Sequence, residues 1–119
     1  MGRPTEVHEI DRDDLWRGLQ RLDHPKLVMA LSEFAYRAKR IPGSLHFNTP
    51  SEMFAALGKD DDIVVYCSNV DCHSGVAAYQ SLVKHGYTHV RHYAGGLIDW
   101  EAAGLPLEGD WVSPSAETM

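Results

Sequence analysis

The chain has 119 residues, 44% of them apolar and 24% charged, which is typical of one soluble globular domain with one hydrophobic core. No stretch approaches the roughly 18 apolar residues of a membrane-spanning helix, and the start of the chain lacks the apolar segment of a signal peptide, so we expect a cytoplasmic protein. The net charge of -6 argues against nucleic-acid binding but allows a small anion, which backbone N–H groups can bind whatever the net charge.

The first half of the chain alternates between short apolar runs and segments with helical spacing. In chain order, the predicted elements are a strand at 7–10, a helix near 12–22, a strand at 26–31, a helical turn at 33–38, a short strand at 45–47 and a helix at 51–57. Asp11 and Thr49 are the predicted N-caps of the two longer helices, because their side chains can accept hydrogen bonds from the first turn.

The second half begins with the clearest buried strand, at 63–66, which is rich in β-branched and aromatic residues. After it we predict a loop at 67–73, a helix at 74–85, a strand at 90–93, a short helix at 97–103 and a flexible C-terminal tail at 110–119. Ser74 is the expected N-cap of the helix at 74–85, whose predicted packing face consists of Val76, Ala77, Tyr79 (or Gln80) and Val83.

This alternation of strands and helices predicts an α/β domain spanning 1–109, with a mostly parallel sheet covered on both faces. Ligands of such sheets bind beyond the carboxyl ends of the strands, and Cys67 lies at such an end. A thiol there faces the N-terminus of the next helix, and such surroundings lower a thiol pKa from about 8.5 into a range of roughly 3.5–7.5. We therefore predict that Cys67 is a reactive nucleophile, although a buried structural cysteine is the simpler alternative.

Three further residues of the same region are candidates for a role beside Cys67. Cys72 could resolve an oxidised Cys67 as a disulfide or accept sulfur from it, or it could be a passenger thiol. His73 could stabilise a thiolate or donate to an anion, or it could be an ordinary exposed residue, and Ser74 is an accessory candidate. We expect no metal, because two cysteines in one loop lack a second pair of ligands at zinc-site spacing, and because His89 and His92 would face opposite sides of a strand.

Short motifs occur in a fixed order through residues 63–109. They are Tyr66-Cys67, Ser74, Ala77-Ala78, Gly86-Tyr87, Val90, Gly95-Gly96, Trp100 and Gly104-Leu105-Pro106, preceded upstream by the element Arg40-Ile41-Pro42-Gly43-Ser44. Together, at this spacing, they resemble the rhodanese-like single-domain sulfurtransferases, over residues 26–109. The resemblance implies a rhodanese-like domain with a central, mostly parallel sheet of four or five strands and helices on both faces.

The resemblance also implies an activity. Cys67 would take sulfane sulfur from a thiosulfate or persulfide donor, hold it as a persulfide, and pass it to a thiol or cyanide acceptor. The loop that would bind the sulfur-containing anion comprises Ser68, Asn69, Val70, Asp71, Cys72 and His73. No cofactor is implied, and the expected partners are a small sulfur-containing anion, a thiol acceptor and a candidate sulfur-relay protein, with no nucleic acid and no membrane.

The chain departs from the family pattern at several positions. His73 stands where the family has an arginine, the loop is one residue longer, Met29 and Ala30 replace a frequent aspartate, and Arg40 replaces a histidine. A longer loop resembles the phosphatase and arsenate-reductase branch, which accommodates a larger oxyanion. Two alternatives therefore stay open, namely a Cys67/Cys72 thiol–disulfide redox protein or arsenate reductase, and a non-catalytic rhodanese-like binding module.

Overall fold

The structure is a computed structural model that describes residues 8–68 and 73–112. Its elements are, in chain order, α1 (Arg12–Leu19), β1 (Lys26–Met29), α2 (Glu33–Ala38), α3 (Pro50–Ala56), β2 (Ile63–Tyr66), α4 (Ser74–Lys84), β3 (Val90–Tyr93) and α5 (Gly96–Ala102). The predicted α/β class is confirmed. Within the described ranges, no helix has the length and apolar character that crossing a bilayer requires.

The three strands form a parallel sheet in the order β1-β2-β3. Among the described residues the sheet therefore has three strands, and not the predicted four or five, because 8–10 and 45–47 each form an isolated bridge there rather than a ladder. Leu45 pairs with Val28 beside β1, and Glu9 pairs with His92 beside β3, both in parallel orientation. Helix α1 begins so soon after Glu9 that the chain leaves the sheet before a longer ladder can form.

The core is divided by the sheet into two clusters, as expected for a sheet with both faces covered. On one face, Tyr66 packs with Leu15 of α1 and Trp100 of α5. On the other face, Val65 packs with Met53 of α3 and with apolar residues of α4. All four residues of β2 have an exposed fraction of 0%, so the central strand has no contact with water.

The helix ends follow the predicted capping residues in two of three cases. The side chain of Asp11 accepts from the N–H of Asp14 at 2.8 Å, and Thr49 accepts from the N–H of Glu52 at 3.2 Å, which confirms both N-caps. Ser74 is not an N-cap but the first residue of α4. His73 occupies the cap position and makes no capping hydrogen bond through its side chain.

The packing face of α4 differs from the predicted one. The buried residues of the helix are Gly75, Tyr79 and Leu82, whereas Ala77 and Val83 are exposed. Only Tyr79 was expected there. The buried positions are spaced by four and three residues, so they form a helical stripe that is rotated from the predicted one.

The C-terminal part of the domain is attached to α2. The N–H groups of Asp110 and Trp111 donate to the carbonyls of Arg37 and Ala38, each at 2.8 Å. Two residues of the segment predicted as a tail are thus hydrogen bonded to α2, while 113–119 lie outside the described residues, as do 1–7. The domain boundary at residue 109 stays a prediction.

Tyr66, the last residue of β2, connects the sheet to the turn at 41–44. Its hydroxyl accepts from the N–H of Ile41 at 3.1 Å and lies 2.7 Å from Oγ of Ser44. Because the Ser44 hydroxyl donates to the carbonyl of Ile41, the Tyr66 hydroxyl is the donor toward Ser44. Burial raises the pKa of Tyr66 to about 12, so the phenol stays neutral.

We predict that Tyr66→Phe lowers the free energy of unfolding by about 1–3 kcal/mol, because it leaves the buried N–H of Ile41 without its acceptor. Chemical denaturation of Tyr66→Phe, Ser44→Ala and the double variant would measure the loss and the coupling between the two hydroxyls. Additive losses, with no coupling energy, would contradict the hydrogen bond between them.

Candidate active site at Cys67

Cys67 directly follows β2 at the carboxyl edge of the sheet and has an exposed fraction of 2%. It lies against the first turn of α4. A Cβ atom added at Gly75, the second residue of that helix, would be 3.4 Å from Cβ of Cys67. The N–H groups of a first helical turn have no partner within the helix, and the helix dipole is positive there. The fold thus places Cys67 where a thiolate or another anion is stabilised.

The backbone of Cys67 and Ser68 is held by α5. The N–H groups of Leu97 and Ile98 donate to the carbonyls of Cys67 and Ser68, each at 2.9 Å. Gly96 makes this approach possible, since its φ is +71° and a Cβ there would be 2.8 Å from the carbonyl oxygens of both residues. The second glycine of the Gly95-Gly96 motif is therefore required by backbone geometry and close packing.

Cys67 is disulfide-bonded in the structure. Cys72 is the other cysteine of the chain, and it lies outside the described residues together with Asn69, Val70 and Asp71. Of the other predicted loop residues, Ser68 is half-buried beside Cys67. His73 and Ser74 are exposed at the start of α4.

Three positions upstream of Cys67 depart from the family pattern, and none of them places a carboxylate at the carboxyl edge of the sheet. Met29 belongs to the core, and the N–H of Ala30 donates to the carbonyl of Tyr66 at 2.8 Å. Arg40 pairs with Glu108 at 3.0 Å, and its guanidinium lies 4.5 Å from the ring centre of Tyr36. Its charge is thus already paired with a carboxylate.

His92 is a neighbour of Cys67 whose place the sequence did not reveal. It lies on β3 opposite Val65, has an exposed fraction of 6%, and its Nε2 would be 2.8 Å from a Cβ added at Gly75. Its Nδ1 is buried and makes no hydrogen bond among the described residues, the nearest carboxylate oxygen being that of Glu9 at 3.9 Å. The alternation of side-chain direction along β3 could have indicated that His92 is buried, because His92 lies on the same face of the strand as Val90.

His92 is not part of a metal site in the described part of the chain. No three histidine, cysteine or carboxylate side chains there lie close enough together to bind a metal ion. His89 is exposed and precedes β3. Burial lowers the pKa of His92, and the nearby carboxylate of Glu9 opposes this only in part.

The profile of the rhodanese-like domain family matches residues 11–103. The chain belongs to this family. Solved structures agree in fold. The BH2092 protein of Bacillus halodurans is 20% identical with a TM-score of 0.80, covering 94% of this chain and 89% of that one. The human single-domain sulfurtransferase TSTD1 is 23% identical with a TM-score of 0.67, and the match covers 85% of this chain and 97% of that one.

A curated relative places a similar sequence in a longer protein. This rhodanese-like domain is 27% identical over 110 residues to the HTH-type transcriptional regulator Rv0324 of Mycobacterium tuberculosis. The match covers 91% of this chain but only 47% of that regulator, so the chain spans about half the length of the relative.

We predict that Gly96→Ala displaces the backbone of Cys67 and Ser68, because a methyl group would overlap their carbonyl oxygens. Gly104→Ala is the matched control. Gly104 has a φ of +75°, but a Cβ there has no atom within 4 Å. Both variants should lose about 1 kcal/mol of stability from backbone strain. Only Gly96→Ala should also slow alkylation or persulfidation of reduced Cys67, and equal rates in the two variants would contradict this.

We predict that neutral His92 makes stability depend on pH. Because its folded pKa is lowered, the unfolded chain binds the proton more readily once the pH falls below the ordinary value of 6.5. The free energy of unfolding should therefore fall as the pH drops from about 7 to 5, and rise again on return. His92→Gln should flatten this slope in denaturation curves, whereas exposed His89→Gln should leave it unchanged. An unchanged slope in His92→Gln would contradict the prediction.

Proposed function

We propose that this rhodanese-like domain is a sulfurtransferase that carries sulfane sulfur as a persulfide on Cys67. The observation that carries the proposal is the position of Cys67 at the carboxyl edge of the sheet, against the first turn of α4 and with its backbone held by α5. The family supports it, as does the fold shared with a human protein named as a single-domain sulfurtransferase.

The reaction consists of two displacements at sulfur. The Cys67 thiolate attacks the outer sulfur of thiosulfate, a Cys67 S–S bond forms, and sulfite leaves with the electron pair of the broken S–S bond. A thiolate or cyanide acceptor then attacks the terminal sulfur of the persulfide, and the Cys67 thiolate leaves. Each step conserves charge and needs no cofactor.

The anion in this reaction is bound by the loop comprising Ser68, Asn69, Val70, Asp71, Cys72 and His73. Backbone N–H groups at a helix N-terminus stabilise an anion without any fixed cation. His73 precedes α4 and is exposed, so in its protonated form it adds a positive charge near the loop. The chain thus has an imidazole next to α4 at the position where the family pattern has a guanidinium.

A thiol–disulfide function is a second candidate, and the disulfide recorded at Cys67 favours it. In this case a peroxide oxidises Cys67 to a sulfenic acid, the Cys72 thiol attacks that sulfur, and water leaves as the disulfide forms. Two equivalents of a cellular thiol later reduce the disulfide. The two functions are compatible, because the disulfide protects Cys67 until two thiol equivalents reduce it to the thiolate that accepts sulfur.

A cytoplasmic location and a sulfur-relay protein as acceptor are further parts of the proposed sulfurtransferase function.

The test uses the chain after reduction by a thiol, in wild type, Cys67→Ser and Cys72→Ser. With thiosulfate, wild type and Cys72→Ser should gain the mass of one sulfur atom, which cyanide should remove as thiocyanate. Cys67→Ser should gain none, and its turnover should fall by more than about 1,000-fold because the nucleophile is lost.

The same variants separate the two candidates. An adduct that persists in Cys67→Ser, or fails to form on reduced wild type, would exclude the sulfurtransferase function of Cys67. A wild-type disulfide that forms under mild oxidant and disappears in Cys72→Ser would support the redox function. A Cys72→Ser variant that oxidises like wild type would exclude it.

A further inference from the structure

A groove of about 580 Å³ lies at the same edge of the sheet as Cys67. Its floor is the end of β1, where Met29 pairs with Tyr66, the residue before Cys67. Its walls come from the segment after Leu45, from α3 and from α4, beginning with Ser74. Its volume is within the range of small-molecule sites, and its position brings a bound molecule to the first turn of α4, against which Cys67 lies.

The walls of this groove are neutral and mainly apolar. None of the described lining residues has a charged side chain. The apolar surface includes Phe47, Met53 and Ala78, while Thr49, Ser74 and Ser81 contribute hydroxyl groups. A charged group entering this groove would lose its hydration without gaining a counter-ion, whereas an apolar group would gain by leaving water.

We propose that the groove binds an uncharged apolar substituent on the sulfur donor, which makes the preferred donor an organic persulfide or thiosulfonate rather than inorganic thiosulfate. This inference rests on the proposed function of Cys67. The anionic terminal sulfur then lies at the first turn of α4, and the substituent lies along the exposed side of that helix, where Ala77, Ala78 and Ser81 line the groove. One helix thus contributes to both parts of the site.

The chemistry with such a donor balances. The Cys67 thiolate attacks the terminal sulfur of a thiosulfonate anion, the bond between that sulfur and the sulfonyl sulfur breaks, and a sulfinate leaves with the electron pair. An organic persulfide reacts in the same way, with a thiolate as the leaving group. The substituent does not take part in bond making, so the binding energy that it contributes appears in kcat/KM, beside its electronic effect on the leaving sulfinate. A substitution in the groove changes only the first of these two contributions.

The experiment compares two donors that differ only in this substituent, the methanethiosulfonate and benzenethiosulfonate anions. Persulfidation of reduced Cys67 is followed by mass spectrometry, and kcat/KM is obtained for each donor with one common acceptor. If the phenyl ring enters the groove, kcat/KM for benzenethiosulfonate should exceed kcat/KM for methanethiosulfonate by about 10- to 100-fold, the range that burial of such a group gives.

Two variants of α4 form a matched pair for this comparison. Ser81→Glu adds a negative charge inside the groove and should reduce the preference for the benzene donor by about 10-fold or more. Gln80→Glu adds the same charge one residue away, at a position that does not line the groove, and should leave both rates unchanged. Thermal denaturation of both variants shows whether each is folded.

The outcomes separate this inference from the proposed function. Equal kcat/KM for the two donors, with Cys67 persulfidated by both, would overturn the groove assignment and leave the sulfurtransferase function intact. A preference for the benzene donor that folded Ser81→Glu retains would also overturn it. If thiosulfate adds sulfur to Cys67 but neither thiosulfonate does, the groove assignment is overturned. If thiosulfate and both thiosulfonates fail to add sulfur to Cys67, the proposed function itself fails. In that case, an absence of NMR shifts at groove residues on titration with benzyl alcohol would overturn the groove as an apolar site as well.

Discussion

The complete burial of β2 is the constraint on which the site depends. Its four residues have no exposure, and hydrogen bonds to β1 on one side and β3 on the other fix its direction. A strand held in this way delivers the next residue, Cys67, to one place at the carboxyl edge of the sheet. The helices that follow β2 and β3 then both begin beside this cysteine.

Two glycines allow these helices to approach so closely. Gly75 faces the side chains of Cys67 and His92, and Gly96 faces the backbone of Cys67 and Ser68. A side chain at either position would collide with its neighbours, so the α4 and α5 ends could not both reach the cysteine. The carbonyls of Cys67 and Ser68 thereby accept hydrogen bonds from α5, which fixes the backbone of these two residues beyond the end of β2.

Local patterns predicted much of the fold. The bounds of β2 and β3 are as expected. All four residues of β2 are β-branched or aromatic and follow the polar segment 60–62, and β3 begins and ends with residues of this kind, Val90 and Tyr93. The caps at Asp11 and Thr49 also depend only on residues within one turn. The packing face of α4 and the length of the edge strands were predicted wrongly. Both depend on contacts with distant parts of the chain rather than on local spacing.

The sequence by itself determined the alternation of strands and helices, the position of Cys67 after a buried strand, and the ordered motifs by which the family is known. The tertiary structure alone decided that His92 lies beneath the first turn of α4, that Gly96 meets the backbone of Cys67, and that a neutral groove opens beside the site. The reason is physical. Periodicity and capping are local properties, whereas these contacts join residues separated by tens of positions and exist only once the sheet has brought them together.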